Sequence, residues 1–387
     1  MRRTSWGALG VLAVVAAAIQ PGGCAGPVDG DGTEVTEVEG DVLGHTRDTV
    51  VGALGEAELS LDALSAAVDA WAASPDDDAA RAAAQQAFMA AFEAWAVVEV
   101  YQVGPAAPAL VDVAGQDLRD AIYSWPTVNP CRVDQETVSG DYANASFFDD
   151  ELVNVMGFDA LEHLLFAPEA NACPGQVDIN ANGSWDALGS AGVASARAAY
   201  AAAVVGQIQA DVGALSADWT GGFGDEFVAS GAPYESADAA IDAVYRAAFY
   251  VELMKDDKLA LPVGLRGCAT ATCPELAESQ AAAMSSTLLR ANLRGLRALL
   301  VGDGSQGFYA LLVDAGDEAL ANTLVTQLDA AEAALADLAP IPEALSSDAA
   351  QVIAAYDAVA ALATTLEGDV ATGLTLAVPV EAAGDND

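Results

Sequence analysis

Apolar positions recur along this chain with helical rather than strand periodicity. Val50, Leu54, Leu61, Leu64, Val68 and Trp71 are spaced by three, four and seven, which predicts a helix over about 46–73 with one buried face. Ser74-Pro75 ends it, and Asp76, Asp77 and Asp78 supply an N-cap and dipole-favoured acids for a second helix over about 77–103. Phe88, Phe92, Trp95 and Val98 make its inner face, and Gly104-Pro105 closes it. The pattern then predicts a short helix near 112–123, a loop over 125–142, a helix over 148–166, an Asn/Gly/Pro-rich loop over 168–184 and a long helix over 185–217. The Gly-rich, aromatic stretch 219–236 reads as a connection. Helices follow at about 237–259, 274–301, 317–338 and 347–366, with a short one near 306–314. Long antiparallel helices with short loops predict an all-α fold of two four-helix-bundle-like domains, 46–220 and 221–378.

The ends carry different patterns. Arg2 and Arg3 followed by the uncharged apolar run 6–19 read as a secretory signal, too short for a comfortable membrane span. Gly22-Gly23-Cys24 reads as a lipoprotein cleavage site, which makes 1–23 a lipoprotein signal peptide and Cys24 the lipidated residue. Pro21 stands where such sites usually carry Leu, so cleavage near Ala25-Gly26 to a soluble periplasmic protein is the alternative. No Asp follows Cys24, which favours the periplasmic face of the outer membrane. Residues 24–45 are Gly-rich and acidic and read as a flexible tether; 379–387 read as an acidic tail. No later segment offers eighteen uninterrupted apolar residues, so the lipid is the only membrane attachment expected.

Charge narrows the partners. The chain carries 57 acids against 14 bases, a net −43 at pH 7, which excludes nucleic acid. An acidic surface of this kind also keeps proteins soluble in salt. The only lysines are Lys255 and Lys258. In an oxidising compartment, the four remaining cysteines predict two disulfides, Cys268–Cys273 locally and Cys131–Cys173 across the loops flanking the 148–166 helix.

The stretch with the most chemistry is Met156 to Phe166. Phe158, Leu161 and Leu165 share a face built for burial, while Asp159, Glu162 and His163 stand at i, i+3 and i+4. That spacing lets two carboxylates and an imidazole converge on one cation. It equally fits an exposed polar stripe in which His163 pairs with Asp159. As a metal set, Asp159 and Glu162 are hard oxygen donors suited to iron(III), calcium or manganese rather than zinc, with His163 joining if its rotamer turns to that face.

Gly157-Phe158-Asp159-Ala160-Leu161-Glu162 resembles the Gly-x-His-x-x-Glu motif of the imelysin family, all-helical bacterial envelope proteins, with Asp159 in place of the motif histidine. Trp95 with Glu99, Gly104-Pro105, Arg119 to Trp125-Pro126, Glu252 to Lys258 and Pro262, and Pro274-Glu275 to Glu278-Ser279 follow in the family's order. The sequence is most similar to the family's predicted-lipoprotein branch. The resemblance implies two helical-bundle domains and a ligand-binding set of Gly157, Glu99, Arg119, Glu252, Lys258, Glu275 and Glu278. It places Lys258 on a charged lip of an inter-domain cleft, a reading level with a helix C-terminal dipole contact. Arg119 is expected to offset Asp159 and Glu162 in the empty protein.

Three functions compete. The first is an envelope lipoprotein that binds a metal ion or small ligand and is connected with iron-transport components, as the resemblance implies. The second is a structural or partner-binding lipoprotein whose motif has no ligand. The third is a metallopeptidase, a label the family has carried. Zinc peptidases use His-Glu-x-x-His; this chain has only His45 and His163 and no such motif. No Ser/His/Asp or Cys/His arrangement is present either. No catalytic residue is assigned, and the order of preference is first, second, third.

Overall fold

The computed structural model describes residues 35–379. The signal segment, Cys24 and nearly all of the acidic tail lie outside the described residues. Within them the chain is helical, with no strand.

The first helix, Glu37–Ala73, begins nine residues before the apolar stripe announces it. Thr36 closes a capping box with Glu39, a Thr-x-x-Glu pattern that stabilises a helix start without any apolar residue. Val42 and Leu43 are then buried. From residue 37 on, the stretch expected as a flexible tether is therefore the first two turns of a packed helix. The second helix, Asp78–Val98, is capped by Asp77, which accepts from Ala79 and Ala80.

Two further helices occupy stretches expected as loops. Asn129 caps, Pro130 starts and left-handed Gly140 stops the Pro130–Ser139 helix, signals that a search for apolar stripes passes over. Gly222–Ser230 forms a helix inside the connection. The expected 148–166 helix is broken into Phe147–Asp150, a 3-10 turn Val153–Val155, and the motif helix Gly157–Phe166. Similarly, 274–301 is regular only over Ser285–Val301, and 237–259 divides at Phe249.

The first two helices pack with the motif helix and with Ser184–Thr220. In the second half, Ser285–Val301, Glu318–Leu335 and Ala349–Thr365 pack in sequence, the last also against the π-helical turn Met254–Ala260. Apolar side chains of both halves belong to one contiguous core. The first helix spans both: Asp62 accepts from Gln209 at 2.9 Å, and His45 Nε2 lies 2.8 Å from the Ala298 carbonyl. Ser184–Ser230 and Ala349–Leu374 are apolar enough by composition to cross a membrane; here they bury Val204, Ile208, Val352 and Val359 in that core. Cys131–Cys173 and Cys268–Cys273 are bonded as the sequence predicts.

Where the halves meet, Gly295 of the Ser285–Val301 helix lies against the second helix. A Cβ there would stand 2.4 Å from the Val97 carbonyl oxygen. This close crossing brings Asn292 to the end of the second helix, where its amide donates to the Ala96 carbonyl at 2.7 Å and to Glu99 at 3.2 Å.

Candidate functional site: a buried charge network at the junction

Glu99 ends the second helix and is 1 % exposed. It accepts from Arg119 Nη2 at 2.7 Å and lies 3.5 Å from Lys258 Nζ. Burial alone would raise its pKa, but Lys258 and Arg119 outweigh it and hold the carboxyl below its usual range. Arg119 comes from the short helix Leu118–Ile122 and also bonds Asp120. Lys258 is buried within the π-helical turn, where it donates to Asn292 at 2.8 Å and pairs with Glu278 at 2.7 Å. A π-turn rotates the side chains that follow relative to an α-helix, and such turns gather at functional positions. This one carries Lys258 inward, between the rings of Tyr123 and Tyr250 at 6.0 and 5.2 Å. Neither the charged lip nor the dipole contact expected for Lys258 is observed.

Glu278 lies in the irregular stretch before the Ser285–Val301 helix. Tyr123 donates to its Oε1 at 2.6 Å, while Oε2 is buried without a hydrogen-bond partner. Burial raises its pKa against the pull of Lys258.

The motif helix meets this network at its first turns. Gly157 has φ +74°, and a Cβ there would stand 2.5 Å from the Ile122 carbonyl oxygen, so glycine is required both for the turn and for the close approach of the Leu118–Ile122 helix. Phe158 stacks on Phe92 with centroids 4.9 Å apart. Asp159 accepts from the Ser124 amide at 3.1 Å and Glu162 from the Ala282 amide at 2.9 Å. Both carboxyls are buried. Burial, reinforced by Glu162, pushes Asp159 well above the ordinary carboxylate range. Burial raises Glu162 as well, against the amides it accepts from. Arg119 lowers Asp159, as the smallest of the causes that act on it; its two terminal nitrogens bond Glu99 and Asp120, while its Nε is buried without a hydrogen-bond partner. Arg119 thus offsets Asp159 in part without reversing the effect of burial, and forms no ion pair with either motif acid.

His163 turns away from this centre. Its Nε2 lies 3.0 Å from Asp134 Oδ1, so it pairs neither with Asp159 nor toward a shared cation. Asp134 also receives Arg197 at 3.2 Å and the Ala172 amide at 2.7 Å. Burial would raise Asp134, but these partners hold it below its usual range. Arg197 and Arg81 both donate to the Ala167 carbonyl just past the motif helix, where cationic donors satisfy the free helix end.

The remaining expected residues separate. Glu252 sits on a neighbouring cleft, paired with Lys255. Glu275 is exposed, with its main-chain carbonyl taken by Gln280. The structure thus brings together Glu99, Arg119, Asp159, Glu162, Lys258 and Glu278, and adds Tyr123, Tyr250, Ser279 and Asn292. Tyr123 follows Arg119 by one helical turn, and Asn292 is a polar residue in an apolar run; both spacings are visible in the sequence. Asp134 and Arg197 had no local signal.

Chemically, the centre holds four carboxyls and two basic side chains, Arg119 and Lys258. Among the described residues, no group of three or more histidine, cysteine or acidic side chains is placed to hold a metal ion. Asp159 and Glu162 do not complete a cage by themselves, and His163 does not join them.

Comparison with known proteins agrees with the architecture. A structure of an imelysin-like protein from Psychrobacter arcticum 273-4 superposes with a TM-score of 0.62 at 18 % identity, over 89 % of this chain and 97 % of the other. A protein named as an iron-regulated protein A precursor, from Parabacteroides distasonis ATCC 8503, superposes with a TM-score of 0.68 at 18 % identity, over 90 % and 98 %. At that identity both show the fold alone. No curated protein matches the chain. The imelysin (peptidase M75) family model matches residues 56–367, spanning both halves and the whole charge network, and the chain belongs to the imelysin family.

Proposed function

We propose that this protein is a non-catalytic binding protein of the bacterial envelope, held to the outer membrane by lipid at Cys24 and connected with iron acquisition. The observation that carries the binding role is the electrostatic imbalance at Asp159 and Glu162. Two buried carboxyls with raised pKa values stand beside cations already committed to Glu99 and Glu278. Excess buried acid is relieved by protons or by a cation. A cationic ligand that brings its own donors, such as chelated iron(III), suits two hard oxygens better than a bare ion suits an incomplete cage. The name of the Parabacteroides protein supports the iron connection, and the signal pattern at 1–24 supports the envelope.

A structural role for the motif has its own observation. Asp159 accepts from Ser124, and Glu162 ties the motif helix to Ala282 of the second half. Calorimetric titration with calcium, manganese and chelated iron(III), in enough salt to screen the −43 background, separates the two. Binding by the wild type that is lost in Asp159→Asn with Glu162→Gln supports the ligand role. Identical heats for both proteins leave the motif a structural latch.

A further inference from the structure

A cleft of about 460 Å³ opens between the halves, outside the charge network. Gln102 and Val111 border it from the first half, and Arg246, Phe249, Tyr250 and Asp257 from the second. Its size lies in the range of small-molecule sites, and its wall is mostly apolar, as such sites are. Tyr250 is 5 % exposed; it borders the cleft and its ring centroid lies 5.2 Å from Lys258 Nζ, so the ring stands between the cleft and the buried network.

The polar groups of this cleft fall into two kinds. Glu252 pairs with Lys255, and Asp256 with Arg266. Arg246 and Asp257 do not pair. Arg246 donates to the Val111 carbonyl at 2.7 Å and meets no carboxylate among the described residues. The Asp257 side chain forms no ion pair or hydrogen bond among them either. In a chain with 57 acids for 14 bases, Arg246 joins Arg81 and Arg290 as arginines that donate to main-chain carbonyls and form no ion pair with a carboxylate among the described residues. Two unpaired charges of opposite sign on one apolar cavity match a ligand that carries both.

We infer that this cleft binds a small zwitterion with an apolar side chain, an α-amino acid or a short peptide. Arg246 receives the carboxylate in a charge-assisted bond. Asp257 receives the ammonium, and the apolar body lies against Phe249 and Tyr250. The inference does not rest on the ligand of the motif. Its specificity is also opposite to that of the overall field, which draws in any cation and repels any anion.

Four probes decide it: L-phenylalanine, the dipeptide Ala-Phe, 2-phenylethylamine without the carboxylate, and 3-phenylpropanoate without the amine. Binding to the full chain is read by calorimetry or ligand-observed NMR in roughly 0.3 M NaCl, where the general field is screened. The expected result is that a zwitterion binds at least about tenfold more tightly than either single-charge analogue. The tighter of L-phenylalanine and Ala-Phe identifies free amino acid or peptide. Arg246→Gln and Asp257→Asn should each remove most of that preference, while Asp69→Asn, the same charge change as Asp257→Asn at an exposed position of the first helix, should leave it intact. Binding of 2-phenylethylamine as tightly as the zwitterions would overturn the inference, since the acidic field alone then accounts for capture. So would absence of binding by both zwitterions, or equal affinities in the wild type and both cleft variants. If a cleft variant fails to fold, the wild-type probe series still decides. Iron-chelate titration of the same variants should be unchanged, so failure here and failure of the motif reading remain distinguishable.

Discussion

Two polar networks meet the motif helix, and they are built on opposite electrostatic terms. Beside its last turn, one carboxylate, Asp134, receives an imidazole, a guanidinium and a backbone amide. Beside its first turns, Asp159 and Glu162 approach Glu278 while the nearby cations serve Glu99 and Glu278. Both networks are shut away from water. Burial penalises charge in each, yet Asp134 is held below its usual range and Asp159 well above it. At Asp159 burial sets the direction and Glu162 reinforces it, whereas at Asp134 the partners His163, Ala172 and Arg197 outweigh burial. The first network fastens the helix end. The second keeps two acids buried beside Glu278, where they also accept from the Ser124 and Ala282 amides, and local electrostatic conflicts of this kind cluster at functional sites.

The contrast breaks most violently at Lys258. It is the single cation shared by Glu99 and Glu278. Lys258→Ala leaves both acids buried with less compensation, an arrangement that costs about 3–5 kcal/mol. Urea unfolding should show the loss, and a variant within about 0.5 kcal/mol of wild type would mean that the carboxyls are already neutral. Asp134→Asn is expected to cost less, about 1–3 kcal/mol, because Arg197 keeps its bonds to the Ala167 and Pro168 carbonyls. Asp134 has a depressed pKa, so its contribution is present above the ordinary carboxylate range and is lost as pH falls through its folded value. The gap in melting temperature between wild type and Asp134→Asn should therefore close on acidification. A gap unchanged into strong acid would show that shape rather than charge is being measured.

How far the sequence foretold these networks follows from the range of each interaction. Helices with an apolar stripe, such as 46–73, were legible because burial repeats at 3.6 residues. Starts set by caps were passed over: Thr36 with Glu39, and Asn129 with Pro130. The disulfides followed from number and spacing. Asp159 and Glu162 were legible as a pair, since they share one helical turn. The direction of His163 was not, because its partner Asp134 lies 29 residues earlier on another helix. Lys258 could be marked as conspicuous, but its burial depends on a π-turn and on Glu99 and Glu278 from distant segments. Long-range pairing of charges leaves no periodic trace.

The smallest expected effect tests the second network alone. Asp159→Asn with Glu162→Gln keeps shape and much of the hydrogen-bonding capacity while removing both charges. Folded-state pKa values raised above the unfolded ones mean that protonation is favoured by folding. The wild type is then fully stabilised below the ordinary carboxylate range and loses stability as pH rises toward the raised values. At acid pH both proteins should melt alike, since the wild-type carboxyls are neutral too. At neutral pH the double variant should be the more stable, by roughly 1 kcal/mol, the low end for replacing buried charge with neutral groups. This sign is opposite to that of Asp134→Asn, and the same denaturation series across pH measures both. A double variant less stable than wild type at neutral pH would show that the Ser124 and Ala282 amides need charged acceptors, and would place both networks in the fastening class. If instead the variant gains stability, adding the cationic ligand should reverse the order, because bound cation offsets the two charges in the wild type and has nothing to offset in the variant.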